Sequence, residues 1–461
     1  MHRIVDQLRT SPIKQKPRIV KQDLIDYYRD ISSQPGKEKI GIECEKIGVD
    51  VNTGQNIPYY GTRGFLNILK RLVQELGWDV MVRNGRNILE LKRRDTRLTL
   101  ESDGRIELSG HVHDSIHDLY REFFLHRYEI SIISNMFDII WLGIGMTPLS
   151  PAAEIELIPK TRVVMTNRYW EKIGGYGINW SRQTASIHAN VDYHSEEDLV
   201  RKFQAMLKIG PIITGIFANS PIWRGRLTDN LCNRMYLALH SDPIRFDADP
   251  SFFDPDFSIE KWVDYSLKVP MMFLKRKNTW YEVPKNFTFG EFLKQGFRGF
   301  RPTIEDFVLH ESTIYTDVRI KKYIEMRCCD AVPPVLVASF PALIKGLVYH
   351  PDGLDAIDRI TKGWDYNTVQ RLRHRVAKNA LQVRVNRVRL FDLARELLDI
   401  ADANLKSMRV YNIREEDESI YLHPLREFLI ESKMCPARLI AVNWETKWNR
   451  NIHKLIEFCA Y

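Results

Sequence analysis

Two glutamates two positions apart are the first residues that could do chemistry. In Gly41-Ile42-Glu43-Cys44-Glu45-Lys46-Ile47 acidic and other side chains alternate with the period of a strand, so Glu43 and Glu45 look the same way, about 7 Å apart by the strand rise. One such pair is ordinarily a solvent-washed face, but the pattern recurs. Leu98-Thr99-Leu100-Glu101 and Arg105-Ile106-Glu107 put acids on both arms of a hairpin turned by Asp103-Gly104. A two-residue loop there sets Glu101 and Glu107 on opposite sides, whereas a three-residue loop with a bulge aligns them. Glu107 is therefore the firmer candidate and Glu101 the second. In Ser186-Ile187-His188-Ala189-Asn190-Val191-Asp192 every polar residue falls on one strand face, His188 among them. The run Arg319 to Arg327 reads as one alternating strand with Arg319, Lys321, Tyr323, Glu325 and Arg327 on one side. A solvated charged face is the plain alternative for both segments.

An antiparallel sheet could gather these faces into one polar concavity. Carboxylate oxygens at such density suit Mg²⁺, a hard cation with oxygen ligands, better than Zn²⁺, which favours nitrogen and sulfur. Flanking Arg and Lys would neutralise phosphate. This is the design expected for ATP chemistry without a P-loop, and the sequence contains no GxxxxGK[ST].

Competing motifs are weaker. His111-Val112-His113 with His117 imitates a zinc site but lacks the HExxH glutamate, and reads as a helix entrance capped by Asp114 or Ser115. Gly143-Ile144-Gly145 and Gly174-Gly175-Tyr176-Gly177 do not complete GxGxxG and read as turns. Eight basic residues and one acid between Lys362 and Arg389 are the best nucleic-acid lead, yet no aromatics interleave with them, and a solvated helical face is the better reading. The neighbours Cys328 and Cys329 point to opposite faces of a strand and are read as packing residues or pocket lining.

The elements that must position these residues alternate irregularly, which implies an α+β body. A helix is predicted over Lys21 to Ser32, a strand over Lys39 to Val51, and a helix over Phe65 to Leu76. Strands follow at Asn87 to Lys92 and Arg97 to Ser109, a helix at His113 to Asn135, and a buried strand at Ile139 to Met146. The strand Thr184 to Tyr193 leads to a helix announced by Ser195 with Asp198 three residues on. Most of Asp355 to Tyr461 has helical periodicity. The expected organisation is an N-terminal arm (1–20), an antiparallel-sheet core with flanking helices (21–354) and a helical portion (355–461) packed on the same body.

Composition agrees with a folded body. The 461 residues are 44% hydrophobic and 27% charged, the averages of globular chains rather than of disordered ones. The uncharged stretches Ile139 to Ala153, Ile209 to Trp223 and Ala331 to Ile344 fall short of the ~20 residues of a membrane span and contain proline. No membrane association is expected. Met1 to Lys16 lacks an apolar signal core, so a cytoplasmic protein is expected. Six cysteines without CxxC spacing read as reduced thiols, and the formal charge of +8 suits anionic ligands.

Several long segments, in order, resemble the glutamate–cysteine ligases of the plant and proteobacterial type, within the glutamine-synthetase-like carboxylate–amine ligases. They are GIECEKIGVD at 41, DGRIELSG at 103, IPKTR at 158, SIHANVDYHSEEDLVRKFQAMLKIGPIITGIFANSP from 186, FSIEKWVDYSLKVPMMFLKRK from 257 and VRIKKYIEMR from 318. The resemblance implies a curved antiparallel sheet forming a funnel, with ATP and Mg²⁺ at its lined face and L-glutamate beside them. It also implies ATP-driven ligation: the γ-carboxylate of glutamate attacks the γ-phosphorus of ATP, and the α-amine of L-cysteine displaces phosphate from the resulting acyl phosphate. By the same resemblance Glu43, Glu45, Glu107 and Glu325 are metal-site acids with Glu101 nearby, and His188 stands at a histidine or glutamine position. Arg327 serves the transferring phosphate with Glu325, Lys321 helps hold the nucleotide, and Arg162, Arg245 and Lys160 grip substrate carboxylates. The alternatives are a ligase for a different amine and, from another class, a basic nucleic-acid-binding protein.

Overall fold

In the computed structural model, residues 19–30 and 34–461 are described. The expected N-terminal arm thus lies, but for its last two residues, outside the described ones. The centre of the fold is a nine-stranded sheet. In chain order its strands are β1 (Ile40–Asp50), β2 (Asp79–Asn84), β3 (Asn87–Arg93), β4 (Thr96–Leu100), β5 (Ile106–Ser109), β6 (Ile139–Leu142), β7 (Ser186–Val191), β8 (Val318–Ile320) and β9 (Ile324–Asp330). Their spatial order is β8-β9-β7-β1-β5-β4-β3-β2, with β6 paired to the far end of β1. Every pairing is antiparallel, and the sheet is open. The α+β expectation with a large antiparallel sheet holds.

Strand alternation divides the sheet into two chemically distinct faces. Ile42 and Cys44 of β1, Leu98 and Leu100 of β4, Ile106 and Leu108 of β5, Ile187, Ala189 and Val191 of β7, and Ile324 and Met326 of β9 are buried in one continuous core. Helices Phe65–Leu76, Ile116–Phe137, Glu196–Ile216 and Ser339–Val348 add their apolar residues to it, and a buried Leu or Ile contributes about 1.5–3 kcal/mol. The other face keeps the polar residues. Most of residues 355–461 is helical, and Leu372, Val376, Leu397, Leu398 and Leu405 join the same core.

One segment departs from the sequence reading. Arg319 to Arg327 is not one strand but a tight hairpin, β8 and β9, in which Arg319 lies opposite Glu325. Lys321 N bonds to Tyr323 O at 2.7 Å to close the turn. No glycine, proline or asparagine marks it, so alternation ran on unbroken in the sequence.

The helix Ile304–Glu311 that leads toward β8 ends on a buried acid. Glu311 accepts hydrogen bonds from Tyr28 Oη at 2.6 Å and Trp262 Nε1 at 3.1 Å. Burial, outweighing these bonds, pushes its carboxyl up to about 7. A raised acid gives its full stability below its unfolded value, here near 4.5, and loses it as pH rises through the folded value. Glu311→Gln is expected to abolish that loss. Urea unfolding at pH 5 and pH 8 should show the wild type losing roughly 3 kcal/mol more than the variant across this window; parallel pH profiles would refute the assignment.

Candidate active site

On its polar face the sheet floors a cavity of about 420 Å³. β1 is the axis of the site. Its register places Glu43 between His188 of β7 and Ser109 of β5, and Glu45 opposite Glu107. Glu325 of β9 stands opposite Asn190 of β7, two residues along β7 from His188, whose partner on the other side is Glu43. The six residues expected at a metal site therefore fall into two groups, Glu43–His188–Glu325 and Glu45–Glu101–Glu107, and within each group one ligand atom per residue lies within 4.8 Å of the others. Glu101 is brought in by a three-residue loop, Ser102 to Gly104: Leu100 pairs with Ile106, and Glu101 N bonds to Arg105 O at 3.0 Å. Gly104 takes φ +91° there, and a Cβ on it would stand 2.4 Å from the ring of Phe65.

The two groups carry opposite electrostatics. Glu325 is fully buried among three cations: Arg319 Nε at 2.8 Å, Arg327 at 2.8 Å and Lys321 Nζ at 2.9 Å. Burial alone would raise its carboxyl, yet these cations hold it well below the usual range. Glu43 is likewise lowered: burial and the neighbouring Glu325 push it up, but Lys321 and the His188 hydrogen bond prevail. His188, with Nδ1 2.8 Å from Glu43 and Nε2 3.0 Å from Ser186 Oγ, is kept low by burial and by Arg327. Both favour the neutral imidazole, the form that ligates metal.

The second group has a deficit of positive charge. Glu107, held by Ser109 Oγ at 2.6 Å and Thr99 Oγ1 at 3.2 Å, is pushed well up by burial and by Glu43, Glu101 and Glu45. The nearest cation, Arg105, lies 3.6 Å from Glu45 and is already bound to Asp103 at 2.6 Å. Three carboxylates converging with so little compensation, and with only oxygen donors, fit a hard divalent cation.

Lys160 and Arg162 line another wall, next to the first turn of helix Thr161–Ile173. Lys160 Nζ is 2.6 Å from Glu90, and Arg162 donates to Ser312 O at 3.2 Å and Ser312 Oγ at 3.0 Å. Lys321 and Arg327 also face the cavity. Arg245 does not. Its side chain has no exposed surface and donates to Tyr169 Oη at 3.0 Å, to Thr313 O at 3.0 Å and Thr313 Oγ1 at 2.9 Å, and to Pro270 O. The expected grip on a substrate carboxylate is replaced by a structural role behind the wall, because every guanidinium nitrogen already has a protein partner. Arg245→Lys is accordingly expected to lower the melting temperature by several degrees, at roughly 1–3 kcal/mol per buried donor lost, while steady-state kinetics of the folded variant keep the glutamate KM within about twofold.

Arg105, Arg234 and Arg319 are among the cavity residues that had no place in the expected ligand set. Arg105 stands two positions before Glu107 and Arg319 opposite Glu325, so their strand positions already carried the signal. Arg234, whose Nη2 donates to the carbonyl of Arg327 at 2.8 Å, comes from helix Asn233–Leu239 and had none. The histidines 111, 113 and 117 form no metal group: Ser115 caps their helix by accepting from Asp118 N, and His113 bonds to Glu122. All six cysteines are free and buried.

The model of glutamate–cysteine ligase family 2 matches residues 39–457. The chain belongs to this family. Rice (Oryza sativa subsp. indica) glutamate–cysteine ligase A, chloroplastic, is 32% identical over 452 residues, covering 96% of this chain and 88% of the rice protein. The Arabidopsis thaliana chloroplastic enzyme is 30% identical over 446 residues, covering 96% and 83%. A crystal structure of a Francisella tularensis glutamate–cysteine ligase in complex with AMP shares the fold, with a TM-score of 0.54 at 15% identity over 92% of this chain and 87% of that one. As a family member the chain is an enzyme, a ligase that joins glutamate to cysteine on the route to glutathione.

The family membership changes two other expectations. A cytoplasmic location does not stand, since the matched plant relatives are named as chloroplastic proteins. The nucleic-acid alternative is not favoured. In its basic segment Arg373 is buried against Asp317 and Asp247, and Arg389 is bound to Asp392. Among the described residues no helix is long and apolar enough to cross a membrane.

Proposed function

We propose that the cavity activates glutamate with ATP and Mg²⁺ and captures the γ-glutamyl phosphate with the α-amine of cysteine. The observation that carries this reading is the division of six ligands into two adjacent groups that share one strand, β1. Glu45, Glu101 and Glu107 would hold one ion and Glu43, His188 and Glu325 another. When bound, such ions neutralise the phosphates and polarise the transferring phosphoryl group, which is most of what catalysis of this transfer needs.

The protein's own residues do the rest. Arg327 and Lys321, which hold Glu325 in the free enzyme, are placed to turn toward phosphate oxygens once that carboxylate faces a cation. Arg162 and Lys160 on the other wall offer charge-assisted bonds to substrate carboxylates. Arg234 fixes the backbone of Arg327, so the guanidinium is oriented before the substrate arrives.

The test mixes purified protein with ATP, Mg²⁺, glutamate and a panel of amines. Phosphate release and product mass are then followed. One phosphate per γ-glutamylcysteine, strictly dependent on the divalent ion, is the expected result. Preference for an amine without a thiol would reject the cysteine assignment, and turnover undiminished by chelator would reject the metal assignment.

A further inference from the structure

Strand β1 holds one residue that its own pattern does not explain. Ile42 and Cys44 point into the core, and Lys46, next in the same alternation, points there too: it is 0% exposed and does not line the cavity. A lysine buried so completely is almost always paired with a carboxylate. Among the described residues none pairs with Lys46, and Glu107 and Glu45 act on it only at a distance, opposing the burial that lowers its ammonium from the ordinary value. Its Nζ donates to Cys44 O at 2.8 Å and stands over the ring of Tyr461, 5.5 Å from the centroid, within the range at which a ring face attracts a cation. Residues 459–461 bring that ring in. Gly143 N donates to Cys459 O at 2.9 Å, Tyr461 N donates to Trp141 O at 2.9 Å, and Tyr461 Oη lies 3.3 Å from Cys44 Sγ.

We propose, resting on the function just given, that Lys46 is a positioning residue that works by charge. From behind β1 it repels a bare divalent ion at Glu45, Glu101 and Glu107 and attracts the phosphates that accompany the ion in a nucleotide complex. The geometry supports both signs. Cys44 lies between Glu43 and Glu45 in the chain, so the ammonium bonded to its carbonyl is held against the backbone that carries both acids. The sheet stands between, with β5 and β7 flanking β1 on its two sides, and keeps the ammonium from bonding either carboxylate. Its charge is therefore not spent in an ion pair, and it acts through buried strand with little water to screen it. Without Lys46 the three acids would capture free Mg²⁺ before the nucleotide arrived and hold it after the nucleotide left. With it, ion and nucleotide come and go together.

Titration calorimetry of the full chain with Mg²⁺ alone, and with Mg²⁺ plus a nonhydrolysable ATP analogue, decides the matter. The bare ion is a cation and its triphosphate complex an anion, so losing the lysine charge must move the two affinities in opposite directions. Lys46→Met is expected to bind Mg²⁺ alone about tenfold more tightly and the complex about tenfold more weakly than the wild type. Its KM for the nucleotide should rise. Its melting temperature should stay within a few degrees, because an apolar side chain of similar volume replaces a buried ion. Lys46→Arg, which keeps the charge, should return both affinities toward the wild type. A neutral variant that binds both ligands more weakly makes Lys46 merely structural and overturns the proposal, and one within twofold of the wild type for both does the same. If the methionine variant fails to fold, Lys46→Gln, which keeps a donor for Cys44 O, decides by the same signs. A wild type that binds neither ligand removes the proposed function and this inference together; one that binds both, beside unaltered neutral variants, removes this inference alone.

Discussion

Replacing Glu107 by glutamine is expected to stabilise the metal-free protein while reducing turnover about a thousandfold. The two effects have one cause. In the free enzyme Glu107 is surrounded by Glu43, Glu101 and Glu45 in a buried setting, and its carboxyl is held well above the usual range. An acid raised in this way contributes its stability in full below its unfolded value of 4.5 and loses it as pH rises through the higher folded one. Glutamine, neutral at every pH, escapes the loss. A divalent cation bound as proposed would reverse the balance in the wild type by displacing the proton and stabilising the carboxylate. Stabilisation by Mg²⁺ should therefore grow in the wild type as pH rises above the ordinary carboxylate range, with proton release visible by calorimetry in buffers of different ionisation enthalpy. In Glu107→Gln this Mg²⁺-dependent rise in melting temperature should largely vanish. A variant that turns over within tenfold of the wild type would remove Glu107 from the ligand set.

Arg327→Ala is the second change with a large expected effect, a loss of about a thousandfold in kcat with the glutamate KM within a few-fold. The fold should survive. Removing one partner of a buried pair normally costs about 3–5 kcal/mol because the other charge is orphaned, but Glu325 retains Arg319 and Lys321. The loss is thus confined to the site. Arg327→Lys restores a charge without the planar fork and should recover only part of the rate. Partial rescue of Arg327→Ala by added guanidinium ion would be the signature of a missing group rather than of a displaced backbone. An alanine variant with kcat within tenfold of the wild type would contradict the role.

Which of these residues could be read from the sequence follows from how local each signal is. Glu43, Glu45 and His188 were legible because a strand fixes side-chain direction at every second position, and the strands carrying them run straight through the site. Glu101 depended on one loop residue: its side is set by whether two or three residues turn the chain, and Asp103-Gly104 permits either. The hairpin at Lys321 to Tyr323 was hidden for the opposite reason, since a turn built from Lys and Tyr breaks no alternation. Glu325 nonetheless reached the right face, because a three-residue loop, here 321–323, preserves parity as a straight strand does. Arg245 marks the limit of resemblance. Position along the chain says which segment it belongs to, but only packing says whether a guanidinium faces the cavity or the core behind it.

That Glu43 and Glu45 sit on the same stretch of extended backbone turns β1 into a ruler. Neither carboxylate can shift along the strand without dragging the other, and neighbouring strands hold β1 on both sides. The distance between the two proposed ion positions would thereby be graduated by the peptide repeat and not by the ions. Calcium, whose bonds to oxygen run about 2.3–2.6 Å against about 2.0–2.1 Å for magnesium, would have to swell both nests at once upon a scale that does not stretch. On the proposed function, discrimination by ionic radius would thus be written into the pitch of a single strand.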